Sequence, residues 1–263
     1  MIDICAILVF IFGAIIGSFL NVCIVRMPHE KSVVTPRSHC VKCKKTIPWY
    51  DNIPFVSFIV LRGKCRFCGT KISFRYFLIE LLAACSFVVL YGYFGPNAIL
   101  IPYLIMVSGL IVATFVDIEH RIIPDEISIG GAAVGLILSI LIPQLHGTDS
   151  FLWGGVRSLV GILVGGGSIY IMGLIGDFIF KKESMGGGDV KLMAMIGAFL
   201  GWQSALLAFF IAPFFGAIFG IIVKIRTKES LIPYGPFLAI GAIIALFFSQ
   251  PLIAWIMSGY GLY

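Results

Sequence analysis

Charge is scarce in this sequence. Of 263 residues, 12% are charged and 59% are hydrophobic, where soluble domains carry about 25% charged residues. A chain so poor in charge cannot cover a surface that faces water, so the composition implies a membrane protein. Acidic residues are the scarcer sign, 13 against 19 basic, for a formal charge of +6. In a membrane protein such an excess reports loop placement. No soluble basic face exists to carry it, and no nucleic-acid partner is expected.

The amino terminus also lacks basic residues. The first Lys or Arg is Arg26, after the first apolar run, so no cleavable secretory leader is expected and that run remains a helix. Histidine is sparse. The four present (His29, His39, His120, His146) form no His-Glu-x-x-His zinc-protease motif and offer no partner for a membrane-embedded serine.

What the sequence does have is long apolar runs. A membrane span needs about 20 apolar residues, and eight candidates can be drawn, at 4–25, 77–95, 98–117, 127–143, 151–180, 189–202, 204–223 and 234–257. The expected fold class is an all-α polytopic membrane protein. The stretch from Val190 to Val223 would be about 51 Å long as one helix, so two short spans turning at Gly201–Ser204 are expected. Gly13/Gly17, Gly161/Gly165 and Gly216/Gly220 are small-xxx-small pairs that predict close helix packing. No convincing internal repeat stands out.

The connections alternate in charge. Segment 26–76 holds eleven of the 19 Lys and Arg residues, and 118–126, 181–191 and 224–230 hold seven more. The intervening turns near 95–97, 143–150, 201–204 and 258–263 hold none. Basic connections stay cytoplasmic, which predicts eight spans with both ends outside and loop 26–76 in the cytoplasm. Three regions are expected: 1–25 as the first span, 26–76 as a cytoplasmic domain, and 77–263 as the remaining membrane domain.

Two aspartates occupy unusual places. Asp117 ends an apolar run and opens Asp117-Ile118-Glu119-His120-Arg121-Ile122-Ile123-Pro124-Asp125. Asp189 follows Gly186-Gly187-Gly188 and precedes another apolar run. The topology puts both at cytoplasmic helix ends. Charged groups near membrane depth are costly and are functional candidates. Two carboxyl groups sharing a site hold one proton between them and can activate water against a peptide bond. The glycines would allow φ > 0 and close approach of a peptide backbone, and Lys191 could bias the pair. Each aspartate also has a plain reading, Asp189 as a helix cap and Asp117 as an i,i+4 partner of Arg121. Asp3, Asp51, Glu30, Asp149, Glu183 and Glu229 read as solvated. Glu80 and Asp177 fit either contacts to a ligand or pairing with Arg75 and Lys181.

The seven cysteines divide by context. Cys5, Cys23 and Cys85 lie in apolar runs and read as inert thiols. Cys40-Val41-Lys42-Cys43 and Cys65-Arg66-Phe67-Cys68 stand 21 residues apart in the polar loop. That spacing is characteristic of a tetrahedral zinc site with four thiolates, with redox cysteines or no metal as alternatives. A loop with so little core of its own favours a metal staple.

Together these motifs resemble those of the bacterial type IV prepilin peptidases (prepilin leader peptidase/N-methyltransferases). Gly17-Ser18-Phe19-Leu20-Asn21-Val22 with Arg26-Met27-Pro28 resembles the family's first-helix motif. The two knuckles, with Trp49–Pro54 and Leu61–Arg66 between them, resemble its cytoplasmic domain. Asp117 with Ile123-Pro124-Asp125, and Gly186–Lys191, resemble its two aspartyl motifs. The second of these is the Gly-x-Gly-Asp signature shared with presenilin-like proteases. The resemblance implies cleavage of the basic leader of type IV prepilins and type II secretion pseudopilins by Asp117 and Asp189. It also implies N-methylation of the new first residue, usually phenylalanine, from S-adenosylmethionine. It places the enzyme in the cytoplasmic (inner) membrane and associates Cys40, Cys43, Cys65 and Cys68 with zinc and with methylation. Val41 and Phe77 stand where the family often has proline. No residue for the methyl donor is legible. A peptidase that does not methylate and an ion-coupled transporter are the rival readings.

Overall fold

A computed structural model describes residues 3–181, 185–227 and 233–259. Among them the only regular structure is helical: α1 Ile4–Arg26, α2 Val56–Val60, α3 Phe74–Phe94, α4 Leu100–His120, α5 Asp125–Leu141, α6 Phe151–Phe180, α7 Gly187–Thr227 and α8 Gly235–Gly259, with 3-10 turns at Met27–His29, Trp49–Asn52 and Pro143–His146. Six of these helices (α1, α3, α4, α6, α7, α8) are long and apolar enough to cross a membrane, and the chain is a multi-pass membrane protein. The eight spans expected from the sequence differ from this count in two places. Helix α5 has 17 residues, about 26 Å, a little short of the roughly 20 residues that a full crossing needs.

The other difference is α7, which is not one rod. Gly201 has φ 77° and ψ 170°, outside helical space, a backbone state reserved for glycine. The neighbours of α6 show what the break does. A Cβ added at Gly165 would lie 2.5 Å from the Met193 carbonyl oxygen and 3.5 Å from Ala205 Cβ. Residues twelve apart thus face the same point on α6, so the chain reverses at Gly201 into segments 187–200 and 202–227. The reversal expected at 201–204 is present. Counting α5 and both halves of α7 recovers eight long helical segments.

The chain divides into two compact units, Met1–Val112 and Ala113–Tyr263, with α4 running through the boundary. In the first, α1 packs on α3 through glycines. A Cβ at Gly13 would stand 2.8 Å from Ala84 Cα, and one at Gly17 2.7 Å from Glu80 Cα. The opposite face of α1 exposes Ile7, Leu8, Ile11, Phe12 and Ile15, as a lipid-facing surface should. In the second unit α7 is central, packing on α5, α6 and α8. Gly161 meets the Gly197 carbonyl directly, again the close packing expected of a small-xxx-small pair. Gly216 does not behave this way, since its Cβ position lies an ordinary 3.5 Å from Phe237.

Candidate active site and four-cysteine cluster

Asp117 lies in the last turn of α4 and is only 6% exposed. Its Oδ2 accepts the Gly235 backbone N–H at 2.8 Å, so the start of α8 holds a carboxylate at the end of α4. Asp189 sits in the first turn of α7, where the helix dipole favours negative charge, and its N–H donates to the Gly186 carbonyl at 3.1 Å. The two carboxyl groups are near enough for the charge of one to act on the other. Tyr234, next to Gly235, is within the same reach of Asp189, and its hydroxyl is buried with no hydrogen-bond partner. The fold therefore brings the two sequence-predicted aspartates together, 72 positions apart in the chain.

The glycine run has a different local role from the one expected. None of Gly186, Gly187 and Gly188 has a positive φ, because Gly187 and Gly188 already belong to α7. Gly188 instead allows close packing, as a Cβ there would lie 3.2 Å from Ile123 Cβ. The two aspartyl motifs touch at that point. Lys191 also departs from expectation, since its Nζ pairs with Asp125 at 2.7 and 3.0 Å. This ion pair is a second link between the motifs.

Gly235 is the residue that the sequence reading missed. Its signal was the Tyr234-Gly235-Pro236 run at a helix start, where glycine and proline are common. An added Cβ would stand 2.8 Å from Asp117 Oδ2. Gly235→Ala is therefore expected to displace that carboxylate and to lower peptide cleavage on the order of 100-fold, as read by product formation in a peptide assay.

The four-cysteine loop belongs to the first unit. The Sγ atoms of Cys40, Cys43, Cys65 and Cys68 all lie within 4.8 Å of one another, and Cys40 and Cys68 are 3.7 Å apart. Zinc–sulfur bonds of about 2.3 Å in a tetrahedron require Sγ atoms roughly 3.8 Å apart. The donor set and spacing fit such an ion. The Thr70 hydroxyl, 3.3 Å from Cys68 Sγ, and the Thr70 N–H pull that thiol down to about 6. The Cys43 N–H likewise holds Cys40 below the usual thiol range. Cys43 goes the other way: although the Lys45 N–H pulls it down, burial and the neighbouring thiols push it up to about 11, so the thiols titrate together and a metal would displace their remaining protons.

A repeat that the sequence did not announce appears here. Lys44 N–H donates to Cys40 O, and Cys40 N–H to Lys45 O, at 2.9 and 3.0 Å. Gly69 N–H donates to Cys65 O, and Cys65 N–H to Thr70 O, at 2.9 and 2.8 Å. The knuckles are the same turn made twice, and Lys44 (φ 58°) occupies the left-handed position that Gly69 (φ 68°) fills in the other. Only one copy uses glycine, which hides the repeat.

Asp51 is not solvated as expected. Its carboxylate takes Arg66 Nε and Nη2 at 2.7 and 2.6 Å, and its side chain is 6% exposed. The Arg66 guanidinium holds the Asp51 carboxyl below the ordinary carboxylate range. This bidentate pair ties the Trp49–Asn52 turn to the second knuckle. Arg66→Ala is expected to speed chelator-driven metal release about two- to fivefold, followed with a zinc indicator dye. Phe77, one of the two departures from the family pattern, packs its ring against Phe55, Phe58 and Phe74 with centroids 5.3–5.6 Å apart.

Residues 11–94 match the family described as Bacterial Peptidase A24 N-terminal domain, and residues 104–221 match the Type IV leader peptidase family. The prepilin leader peptidase/N-methyltransferase of Myxococcus xanthus is 39% identical over 86% of this chain, which spans 65% of that relative's length. The protein of the same name in Aeromonas salmonicida is 32% identical over 95% of the chain and 93% of its own length. That of Bacillus subtilis is 32% identical over 94% and 96%. No solved structure gives a significant match.

Proposed function

The chain belongs to the type IV leader peptidase family, and from that membership we propose that it removes the basic leader of type IV prepilins and type II secretion pseudopilins and then N-methylates the new first residue. Asp117 and Asp189 are the catalytic pair in this reading. The observation that supports it is that carboxyl groups from α4 and α7 lie within electrostatic reach of each other, with Asp117 held by the Gly235 N–H.

The chemistry follows from sharing one proton. One carboxylate takes a proton from a water molecule, while the protonated partner donates a hydrogen bond to the scissile carbonyl. Water adds to that carbonyl, the roles exchange, and the amine leaves with a proton. The Gly235 N–H fixes the direction of one carboxylate throughout. Gly188 against Ile123 and Lys191 on Asp125 keep the two motifs in register.

A prepilin suits such a site, because its apolar helix can lie in the bilayer while its basic leader stays in water. The basic connections support a cytoplasmic position for the four-cysteine loop and the aspartates, hence cleavage at the inner face of the cytoplasmic membrane. We assign zinc to Cys40, Cys43, Cys65 and Cys68, where it would cross-link the two knuckles and give a loop of little core its stability. S-adenosylmethionine would supply the methyl group. Incubating the purified enzyme with a prepilin peptide and labelled donor tests the whole reading. Cleavage with methylation supports it, and an intact peptide overturns it.

A further inference from the structure

The first unit contains a buried polar cluster separate from the cysteines. Asn21 of α1 is 3% exposed and Glu80 of α3 is 9% exposed. The Asn21 amide nitrogen donates to Gly17 O at 3.3 Å and Tyr76 O at 3.0 Å. Two carbonyl partners settle which end of the amide is nitrogen. The other end, Oδ1, is buried and has no partner. One turn along each helix, Gly17 packs against Glu80 Cα. Glu80 Oε2 accepts the Phe55 N–H at 3.0 Å, and Ser18 hydrogen-bonds the same carboxyl group.

Between Asn21 and Glu80, the one buried atom left without a partner is an acceptor, Asn21 Oδ1. A buried amide oxygen without a donor is costly, and a carboxylate next to the same helix contact adds negative charge. The ligand that satisfies both is a cation with several N–H donors. Phe55, whose N–H binds Glu80, belongs to an aromatic cluster. Phe55 stacks on Phe10 at 5.8 Å and meets Phe77 at 5.3 Å. Phe55 also holds φ 61° and ψ −52°, a strained state for a bulky residue.

We propose that Asn21 and Glu80 bind an α-ammonium group, beside the aromatic cluster of Phe10, Phe55 and Phe77. This rests on the methyl-transfer reading above, in which two reactants carry such a group. One is the newly exposed amino terminus of the cleaved peptide, and the other is the amino-acid end of the methyl donor. The site offers Asn21 Oδ1 and the Glu80 carboxylate to the N–H bonds, and the rings offer an apolar wall to whatever side chain or stem follows the nitrogen.

Binding to the full-length, metal-loaded enzyme tests this. The probes are a peptide beginning with Phe, its N-acetylated form, S-adenosylmethionine, and 5′-methylthioadenosine, which lacks the amino acid. The variants are Glu80→Gln, which keeps an acceptor for Phe55 N–H but loses the charge, and Asn21→Ala. Glu80→Asp serves as the conservative rescue. Unchanged zinc content and a monodisperse elution profile establish folding. Wild type should bind the free-amine peptide about tenfold or more tightly than the acetylated one. Glu80→Gln and Asn21→Ala should erase that difference, and Glu80→Asp should restore part of it. If the variants instead erase the preference for S-adenosylmethionine over 5′-methylthioadenosine, the bound ammonium is the donor's. If folded variants keep both preferences at the wild-type level, the site is wrongly assigned. Wild type that transfers no labelled methyl group would overturn the methyl-transfer reading itself, a separate outcome.

Discussion

Asp117→Asn and Asp189→Asn, made singly, are each expected to lower cleavage of a prepilin peptide by about 10³-fold or more. Asparagine keeps the size of the side chain and can still accept the Gly235 N–H, so the site should survive. What it cannot do is take or give a proton, and general acid–base work contributes about 10²–10⁴-fold per group. The two roles are coupled through one shared proton, so losing either carboxyl group removes both, and the double variant should be little worse than the singles. Mass spectrometry of the peptide after incubation is the direct measurement. A single variant that processes the precursor at the wild-type rate removes that residue from the mechanism.

Cys40→Ser with Cys43→Ser is expected to abolish stoichiometric zinc and to cost methylation far more than cleavage. Two thiolates of four cannot close a structural zinc site, and zinc binding in small domains is worth about 10–16 kcal/mol of folding free energy. Without metal, the two knuckles are joined to each other and to the Trp49–Asn52 turn by surface contacts such as Lys45 over Phe67 and the Asp51–Arg66 ion pair, which are weak. Removing metal should therefore open the loop, while the aspartates, Gly235 and Lys191 all lie in the other compact unit. Zinc content measured on the purified variant, with methylation and cleavage followed on one peptide, separates these effects. An unchanged zinc content would refute the ligand assignment. Equal loss of both activities would show that the loop serves cleavage as well.

The same peptide assay discriminates the rival readings. An ion-coupled transporter with Asp117 and Asp189 as relay groups would leave the peptide intact. A peptidase that cuts other membrane peptides and does not methylate would cleave without adding mass to the new amino terminus. Family membership argues against the first.

Much of the site was legible because its signals are local. The Cys-x-x-Cys pairs, the Gly-Gly-Gly-Asp run and an aspartate at the edge of an apolar stretch each occupy a few consecutive residues. The reversal near residue 201 was legible for a different reason, since 34 apolar residues exceed one membrane crossing. The roles assigned to individual side chains fared less well. Lys191 reaches Asp125, Asp51 clamps Arg66, and Gly188 packs on Ile123 without taking a left-handed backbone. Each of these depends on a partner 15 or more positions away that no short motif names.

Composition, run length and motif spacing by themselves determined that the chain is a helical membrane protein with two aspartyl motifs and a four-thiol loop. Those properties follow from covalent order, because burial in lipid demands apolar helices and a metal knuckle demands closely spaced cysteines. Only the tertiary structure decided that the α8 start holds Asp117 through the Gly235 N–H, that the two knuckles are one turn used twice, and that Asn21 Oδ1 is left without a donor beside Glu80. Those are contacts across packed helices and folded loops. Their geometry is set by how closely glycine and alanine faces approach, which is a property of pairs of surfaces and not of any single segment.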